Sequence, residues 1–352
     1  MNRLYYEDIV KVAELPYEWE RLKNSNVLIL GAYSMIGRAL IDVLVYRNRK
    51  FSMSCKITAF GRNESKLNKY LKQYIEKNEI EVLVGDVNED IDFCENSFDY
   101  YIYTVGSTHP LEYSRYPVDT IETNILGLNN VLKGMKNKRG RLIYLSSVEI
   151  YGTPRDGYTE FDEKYSGYID CNTLRAGYPE SKRAGEALCQ AYISQYQYDI
   201  IIVRVARAFG YTMHMDDSKA LSQFIKNGIN GEDIILKSSG QQRFSYIYVM
   251  DVVSGIIKIL LDGKSGEAYN LSGDEKNIRL IDLAETIAEY TGKKVIIQQP
   301  DTIESKGFSV VDTAIMNIDK IKKIGWTPVF PIESSVQRTV FMLRGDYTDE
   351  NK

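Results

Sequence analysis

A glycine turn between an apolar run and an amphipathic segment is the feature that most constrains this fold. The run VLIL occupies residues 27–30 and the turn GAYSMIG residues 31–37, and the segment RALIDVLVYRNR that follows has the apolar spacing of a helix. A strand that enters a helix through such a turn presents the free N–H groups of the helix N-terminus to an anion. The sequence therefore predicts a dinucleotide-binding unit, in which these groups bind the pyrophosphate.

Strand and helix patterns alternate through the first two thirds of the chain. This alternation predicts an α/β fold, a Rossmann-type doubly wound parallel sheet with helices on both faces. The last third mixes the short strands IILK, AYNL and VIIQ with helices. It is predicted to form a smaller mixed α/β lobe at the carboxyl edge of the sheet, where ligands bind. The predicted units are an N-terminal arm (1–23), an NAD(P)-binding domain (24–208) to which later segments return, and a mainly substrate-binding lobe (209–345).

Charge and composition exclude several classes of function. The 44 Lys and Arg residues against 48 Asp and Glu leave no basic excess for nucleic acid, and no apolar run is long enough to span a membrane. The two histidines, His109 and His214, are far apart in sequence, so no metal site is predicted. Four cysteines without a CxxC pair, and an N-terminus without an apolar signal segment, predict a cytoplasmic protein with reduced thiols.

The glycine turn supplies five candidate cofactor contacts. Gly31 permits the tight turn, and Gly37 allows the helix to pack closely against the strand. Ser34 takes the middle position, where glycine is usual, and its hydroxyl is expected to donate to a phosphate oxygen. Met35 and Ile36 complete the first turn of the helix.

The end of the second strand bears on the choice between NAD and NADP. An acidic residue there would bind the ribose 2′-OH of NAD, but the strand ends Phe60-Gly61-Arg62. Arg62 favours a 2′-phosphate and hence NADP, although NAD stays open. Asp86 and Val87, which close the third strand, are expected to flank the adenine.

Three residues form a candidate catalytic group. Ser147 ends a strand in YLSSVEIYG, and Tyr178 and Lys182 lie four residues apart, on one face of a predicted helix. The lysine is expected to lower the pKa of the phenol toward that of a base near neutral pH, and the serine hydroxyl to hold the substrate oxygen. The chemistry expected is proton exchange at a substrate hydroxyl.

Together these motifs resemble the extended short-chain dehydrogenase/reductase superfamily, in its NAD-dependent epimerase/dehydratase branch. The resemblance extends over residues 24–343 and includes GAYSMIG, TNILGLNN, SSVEIYG, GYPESKRAGEAL and RFSYIYVMDVVSGI. The segments STHP, RAGYPESKR, VRVAR and MHMDDSKALSQF are similar to those of UDP-glucuronate decarboxylases and their relatives. The resemblance implies oxidation of a sugar linked to a nucleoside diphosphate, at its C4 and by bound NAD, in a homodimer formed through helices.

The resemblance also implies roles for single residues. Ser147, Tyr178 and Lys182 match the catalytic triad, with Tyr178 as the base that accepts the proton of the C4 hydroxyl. Glu149 matches a catalytic glutamate of dehydratases and decarboxylases. Arg243 matches an arginine that binds the diphosphate of the substrate through charge-assisted hydrogen bonds.

Four further positions in the matching segments are expected in the site, Asn124 at the cofactor and Ser107, Arg175 and Lys219 at the substrate. Lys219 replaces an arginine that holds the substrate carboxylate in decarboxylases, and lysine lacks the fork for a bidentate pair. Val148 replaces the aspartic acid with which 4,6-dehydratases expel the C6 hydroxyl. These departures weaken decarboxylation and argue against dehydration.

Two kinds of enzyme and one non-enzyme fit these residues. An epimerase or related enzyme would oxidise C4 and then return the hydride. A reductase would instead consume NADPH to reduce a nucleotide-linked keto sugar or ketose, for example a CDP-linked one giving an alditol, and Arg62 and Ser34 favour it. A non-catalytic dinucleotide sensor would be expected to have lost Tyr178 and Lys182. The sequence therefore favours an enzyme that modifies a nucleotide sugar by hydride transfer at C4.

Overall fold

The structure is a computed structural model that describes residues 1–91, 93, 97–106, 108, 110–135, 140–155, 157–158, 160–275, 278–298 and 311–346. Its strands are β1 Asn26–Leu30, β2 Lys56–Gly61, β3 Glu81–Val84, β4 Tyr100–Tyr103, β5 Arg141–Ser147, β6 Asp199–Val205, β7 Arg207–Phe209, β8 Ile234–Leu236, β9 Arg243–Phe244, β10 Tyr246–Tyr248, β11 Ala268–Leu271, β12 Val295–Ile297 and β13 Thr313–Ala314. Its α-helices are α1 Arg3–Ala13, α2 Met35–Phe51, α3 Glu64–Ile75, α4 Pro110–Arg115, α5 Pro117–Glu122, α6 Leu128–Gly134, α7 Gly177–Tyr196, α8 Ala220–Ile229, α9 Val249–Asp262, α10 Leu280–Thr291, α11 Asp319–Lys323 and α12 Ile332–Arg344. Among the helices so described, none has the length and apolar character needed to cross a membrane.

Seven strands form one sheet in the order β11-β6-β5-β4-β1-β2-β3. Each neighbouring pair runs parallel. In β1 the consecutive residues Val27, Leu28, Ile29 and Leu30 are all at most 1% exposed, so both faces of the strand are covered. A parallel sheet buried on both faces is what the continuous apolar runs predict, and the predicted doubly wound α/β fold is confirmed.

The strand order reverses at β1. This strand pairs with β2 on one side and with β4 on the other. The chain runs outward from β1 through β2 to β3 and then returns to β4 on the opposite side. In open parallel sheets such a reversal leaves a crevice at the carboxyl ends of the strands. The glycine turn follows β1 directly and therefore lies at this crevice.

The other six described strands form three two-stranded parallel sheets, β7 with β10, β8 with β12 and β9 with β13. Helices α8, α10 and α12 pack against one another in the same part of the chain. The AYNL run, which the sequence analysis assigns to this lobe, is β11 and instead pairs with β6 at the edge of the main sheet. Helix α9 supplies the crossover that a parallel strand requires, and a short apolar run by itself does not reveal which sheet it joins.

A π-helical turn, Thr123–Gly127, interrupts the helical segment between β4 and β5. It places Asn124 in the interior, where this side chain is fully buried. Single π-turns of this kind occur frequently at functional sites, because the inserted residue redirects a side chain.

Helix α1 packs against the body of the protein. The Tyr5 hydroxyl donates to Asp42 Oδ2 on α2 at 2.6 Å. Asp8 accepts hydrogen bonds from the Tyr248 hydroxyl at 2.7 Å and from Arg338 Nη2 on α12 at 2.6 Å. Both aspartates are buried, and these donors, together with the Tyr74 hydroxyl that donates to Asp42 Oδ1, satisfy all four carboxylate oxygens. The segment predicted as an N-terminal arm thus contains a helix that is bonded to the core at two buried carboxylates.

Candidate active site

The glycine turn is closely packed against the end of β4. Gly31 has a φ of +86°, and a Cβ on it would lie 2.5 Å from Thr104 Oγ1. A Cβ on Gly37 would lie 2.5 Å from the carbonyl oxygen of Gly31, so both positions require glycine. The Ser34 hydroxyl accepts a hydrogen bond from the Gly37 N–H at 3.0 Å and lies 3.1 Å from Thr104 Oγ1. Ser34 therefore caps α2, a role that the sequence analysis does not give it.

The first turn of α2 is fixed by the segment that follows β7. The Thr212 hydroxyl donates to the carbonyl oxygen of Met35 at 2.8 Å, and the Arg38 guanidinium donates to the carbonyl oxygen of Thr212. Ile36, in the same turn, is half-buried. Since the first N–H groups of a helix have no acceptor within it, this fixed end is suited to a pyrophosphate.

A groove of about 500 Å³ opens at the carboxyl ends of β2 and β3. Its lining residues are Tyr33, Arg62, Asn63, Lys66, Gly85, Asp86 and Glu89. Arg62 and Lys66 are exposed there, and the sequence analysis does not single out Lys66. Val87 is 4% exposed and packs in the core, where a Cβ on Gly127 would lie 2.8 Å from it. The predicted residues Arg62 and Asp86 thus line one groove beside the glycine turn.

Asn124 and Lys182 meet at Gly106, on the loop after β4. A Cβ on Gly106 would lie 2.8 Å from Asn124 Oδ1 and 3.3 Å from Lys182 Nζ. Asn124 Nδ2 donates to Ser181 Oγ at 2.9 Å, and Lys182 Nζ donates to the Leu145 carbonyl oxygen at 3.0 Å. Asn124 Oδ1 is buried, and no donor among the described residues reaches it. Together with the α2 N-terminus and the groove, this unpaired acceptor fits a nicotinamide dinucleotide at the carboxyl edge of β1, β2 and β4.

Tyr178 lies in the first turn of α7 and interacts with the side chain of Ser147, at the end of β5. The Ser147 hydroxyl oxygen also accepts the N–H of Glu149 at 3.3 Å. The Tyr178 ring is 5% exposed and stacks on Tyr113, with 5.5 Å between the ring centroids and 20° between the planes. The structure thus places Ser147 beside Tyr178, one helical turn from Lys182.

Burial dominates the pKa values of Tyr178 and Lys182. It raises the pKa of the Tyr178 phenol to about 12, and the interaction with the Ser147 side chain lowers this pKa only in part. Burial also lowers the pKa of the Lys182 ammonium group to about 8. The shift of the phenol is opposite to the one expected from the lysine, because loss of water disfavours the phenolate more than the nearby charges favour it.

Glu149 lies between two arginines. Arg175 Nη2 donates to Glu149 Oε2 at 2.5 Å, and Arg207 Nη2 lies 3.8 Å from Glu149 Oε1. The Arg175 guanidinium lies 4.8 Å from the ring centre of Tyr113. Tyr113 and Arg207 are not predicted from the sequence, because neither belongs to a motif with assigned chemistry. For Arg207, the available signal was a charged residue at the end of an apolar run.

The other predicted substrate residues have different surroundings. Lys219 Nζ lies 3.0 Å from Asp217 Oδ2, so the charge of the lysine is balanced within the chain. Arg243 is exposed on β9. Ser107 lies outside the described residues. Arg175, in contrast, contacts two neighbours of Tyr178 and so belongs to the same site.

Comparison with known proteins gives both a family match and several structural matches. The NAD dependent epimerase/dehydratase family matches residues 27–272, which run from β1 to the residue after β11. UDP-glucuronic acid decarboxylase 3 of Arabidopsis thaliana is 29% identical over 310 residues, which cover 87% of this chain and 85% of that protein. The matched region therefore includes the whole main sheet and the residues around Tyr178.

Two solved structures share the fold at low sequence identity. UDP-glucose 4-epimerase of Thermotoga maritima, solved with UDP-glucose, has a TM-score of 0.78 and 18% identity and covers 91% of this chain and 99% of its own. UDP-glucuronic acid 4-epimerase of Bacillus cereus, in complex with UDP-glucuronic acid and NAD, has a TM-score of 0.77 and 16% identity with the same coverage. These likenesses establish the fold over 91% of this chain.

The low pKa of Lys182 predicts a pH-dependent gain in stability for Lys182→Met in protein freed of bound nucleotides. Below its folded pKa of about 8 the buried lysine is charged, and the shift from 10.5 corresponds to a cost of roughly 3 kcal/mol at pH 7. Between about pH 8 and 10.5 the folded protein loses this proton while the unfolded chain retains it, so the cost falls below about 1 kcal/mol near pH 10.

Urea unfolding at pH 7 and pH 10 measures this difference. The variant is expected to have the larger free energy of unfolding at pH 7. The difference between variant and parent should be smaller at pH 10. Lys133→Met, at an exposed position of α6, is the control and should show no pH-dependent gap. A variant less stable than the parent at pH 7 would show that Lys182 contributes to folding instead of opposing it.

Proposed function

The chain belongs to the NAD-dependent epimerase/dehydratase family, and from this membership and the surroundings of Tyr178 we propose that it transfers a hydride at C4 of a nucleotide-linked sugar. It is an enzyme, like the other members of that family in the comparison. The single observation that carries the proposal is the burial of the Tyr178 phenol in the first turn of α7, where it interacts with the side chain of Ser147 at the carboxyl end of β5. Lys182, one turn along α7, is fixed by the Leu145 carbonyl oxygen.

In this proposal Tyr178 accepts the proton of the C4 hydroxyl. Ser147 holds the substrate oxygen in line with the phenol, and Lys182 favours the phenolate by its charge. The bound dinucleotide would supply the hydride acceptor, and its oxidised nicotinamide ring would add a positive charge. A further positive charge is relevant here, because the pKa of Tyr178 is raised to about 12 by burial and must fall for the phenol to act near neutral pH. Asn124, with its unpaired oxygen beside Lys182, positions a polar group of the ligand.

The proposed substrate is a sugar linked to a nucleoside diphosphate. The Arabidopsis relative is a UDP-glucuronic acid decarboxylase, and the structural neighbours include enzymes solved with UDP-glucose and UDP-glucuronic acid. Arg243 is proposed to hold the diphosphate. Epimerisation or a related rearrangement is the favoured outcome, because Val148 cannot donate a proton and Lys219 is already paired with Asp217. The catalytic role of Glu149 stays a prediction.

A net reductase is the second candidate, and the groove beside β2 favours it. Arg62 and Lys66 both line this groove, where two cations suit the 2′-phosphate of NADP. The structural neighbour from Bacillus cereus holds NAD. Denaturing freshly purified protein and identifying the released nucleotide by mass spectrometry separates the candidates. Tightly held NAD would indicate an internal redox cycle and NADP(H) a reductase.

We further propose that the enzyme is a cytoplasmic homodimer. Exposed apolar side chains lie along α5 and the π-turn, with Val118 62%, Ile121 37% and Leu126 50% exposed. Their spacing places them near one face of this helical segment, which packs by its other side on α7. A second copy of the same face would cover them. The free thiols Cys55, Cys171 and Cys189 are compatible with a reducing compartment.

Replacing Tyr178 by Phe tests the catalytic proposal. Without the hydroxyl no group accepts the C4 proton, so turnover should fall by about 10²- to 10⁴-fold while cofactor affinity stays within about twofold. The measurement is a coupled assay with the nucleotide sugar, together with a titration of the dinucleotide. Tyr192→Phe, on the same helix but bonded to Asn129, is the matched control and should retain its activity. Activity near that of the parent in Tyr178→Phe would overturn the assignment.

The cofactor preference is tested by Arg62→Asp. If Arg62 binds a 2′-phosphate, this change should weaken NADP binding about 10- to 100-fold and leave NAD binding within about threefold. Dissociation constants from calorimetry give both numbers. Lys50→Asp, at an exposed position at the end of α2, serves as the control. If the parent and the variant bind NADP with equal affinity, Arg62 does not bind the 2′-phosphate.

The proposed dimer has a mass of twice 40.3 kDa. Light scattering should show this mass for the parent and the single-chain mass for Leu126→Glu, because a buried carboxylate would oppose the interface. Ile297→Glu, at a position on β12 that is 60% exposed, should leave the dimer intact. A parent protein that is monomeric at micromolar concentration would contradict the proposal.

A further inference from the structure

Two arginines share one glutamate beside Tyr178. The side chains of Arg175, Glu149 and Arg207 are 16%, 23% and 22% exposed, so the group is mostly removed from water. With two guanidinium groups and one carboxylate, it retains one net positive charge. A buried positive charge that no other ion pair of the described residues balances is costly to the folded state.

Several donors of this group are also unpaired. Arg175 Nε and Nη1 and Arg207 Nη1 are buried, and within the described part of the chain no atom accepts a hydrogen bond from them. A guanidinium carries five N–H donors and stays charged at all relevant pH values. Leaving charged donors buried and unpaired costs more than leaving neutral ones, so an acceptor from outside the described residues is favoured at these three atoms.

Aromatic rings fix both guanidinium groups near the reacting end of the site. Arg175 lies 4.8 Å from the ring centre of Tyr113, which in turn stacks on Tyr178. Arg207 lies 3.6 Å from the ring centre of Phe244, the residue that follows Arg243 on β9. Stacking on a ring leaves the edge of a guanidinium free for a planar acceptor. The cluster therefore connects the surroundings of the proposed base with the strand of the proposed diphosphate ligand.

From these contacts we infer that Arg207, together with Arg175, binds an oxyanion of the substrate and is a specificity-determining residue of the site. The inference rests on the proposed function, since the oxyanion belongs to the nucleotide sugar. Carboxylate and phosphate oxygens both suit two in-plane N–H donors. The group bound is either a carboxylate on the sugar or an oxygen of the diphosphate. Glu149 acts here as a positioning residue, which holds Arg175 and lies near Arg207.

The test is Arg207→Met. This change removes the charge and the planar N–H donors of the guanidinium group but retains an unbranched side chain that can pack on Phe244. The parent is first titrated, with its dinucleotide bound, with UDP, CDP, GDP and dTDP. The nucleotide that binds best is then used as its glucose and glucuronate esters. Loss of charge-assisted hydrogen bonds should weaken binding about 10- to 100-fold in the variant. Arg207→Lys retains the charge but not the planar pair of N–H donors. Its affinity for these ligands should lie between that of the parent and that of the Met variant.

The three ligands distinguish the two sources of the oxyanion. If the sugar carboxylate is bound, only the glucuronate ester loses affinity in Arg207→Met. If the diphosphate is bound, the free nucleotide and both esters lose affinity by the same factor. Unchanged dissociation constants for all three ligands would overturn the inference and leave the proposed function standing. A parent that binds none of the four nucleotides would instead overturn the proposed function, and the inference with it.

Thermal unfolding separates ligand binding from a structural role. Because Arg207→Met removes a buried unpaired donor and leaves the Glu149–Arg175 pair intact, the ligand-free variant should have a melting temperature equal to or above that of the parent. A structural role predicts a lower melting temperature. Arg3→Met, which changes an exposed arginine on α1, is the control for loss of a positive charge. It should alter neither the melting temperature nor the affinity for the nucleotide ligands. A variant that is both less stable and unchanged in affinity would show that Arg207 serves only the fold.

Discussion

The parallel pairing of β1 with β2 on one side and β4 on the other is the constraint on which the rest of the site depends. It forces the chain to reverse direction across the sheet and so leaves the crevice at the strand ends. The glycine turn can approach the end of β4 closely because Gly31 has no Cβ to collide with Thr104. Thr104 Oγ1 also donates to the Leu30 carbonyl oxygen at 2.8 Å. The turn, the α2 N-terminus and the loop that carries Gly106 are all placed by this one arrangement.

The site concentrates groups that oppose folding. Lys182 is buried with a lowered pKa, and the arginine cluster leaves charged donors without acceptors among the described residues. Each is unfavourable in the absence of a ligand, and each becomes favourable when a group of opposite charge or a matching acceptor arrives. The main sheet, with its continuous apolar strands, supplies the stability that offsets these costs.

The fold could be predicted because its signals are local. Apolar runs, helical spacing and the glycine turn each depend on neighbouring residues, and they predict the parallel sheet that the structure has. The AYNL strand was assigned to the lobe because pairing partners are not encoded locally. The same limit explains why Arg207 and Tyr113 were missed: Arg207 is 58 residues from Glu149 in sequence, and only the folded chain brings them within 3.8 Å. The direction in which the pKa of Tyr178 shifts depends on burial, and the spacing of residues in the sequence does not reveal burial.

Helix α1 has a consequence for the order in which the molecule assembles. Its carboxylate Asp8 bonds to Tyr248 and to Arg338, and Asn2 Nδ2 donates to the carbonyl oxygen of Asp346 at 2.8 Å. During synthesis these partners leave the ribosome more than two hundred residues after α1 itself. The bond of Tyr5 to Asp42 on α2 can therefore form early, whereas the bonds of Asp8 and Asn2 fix α1 only after residues 248–346 have been made.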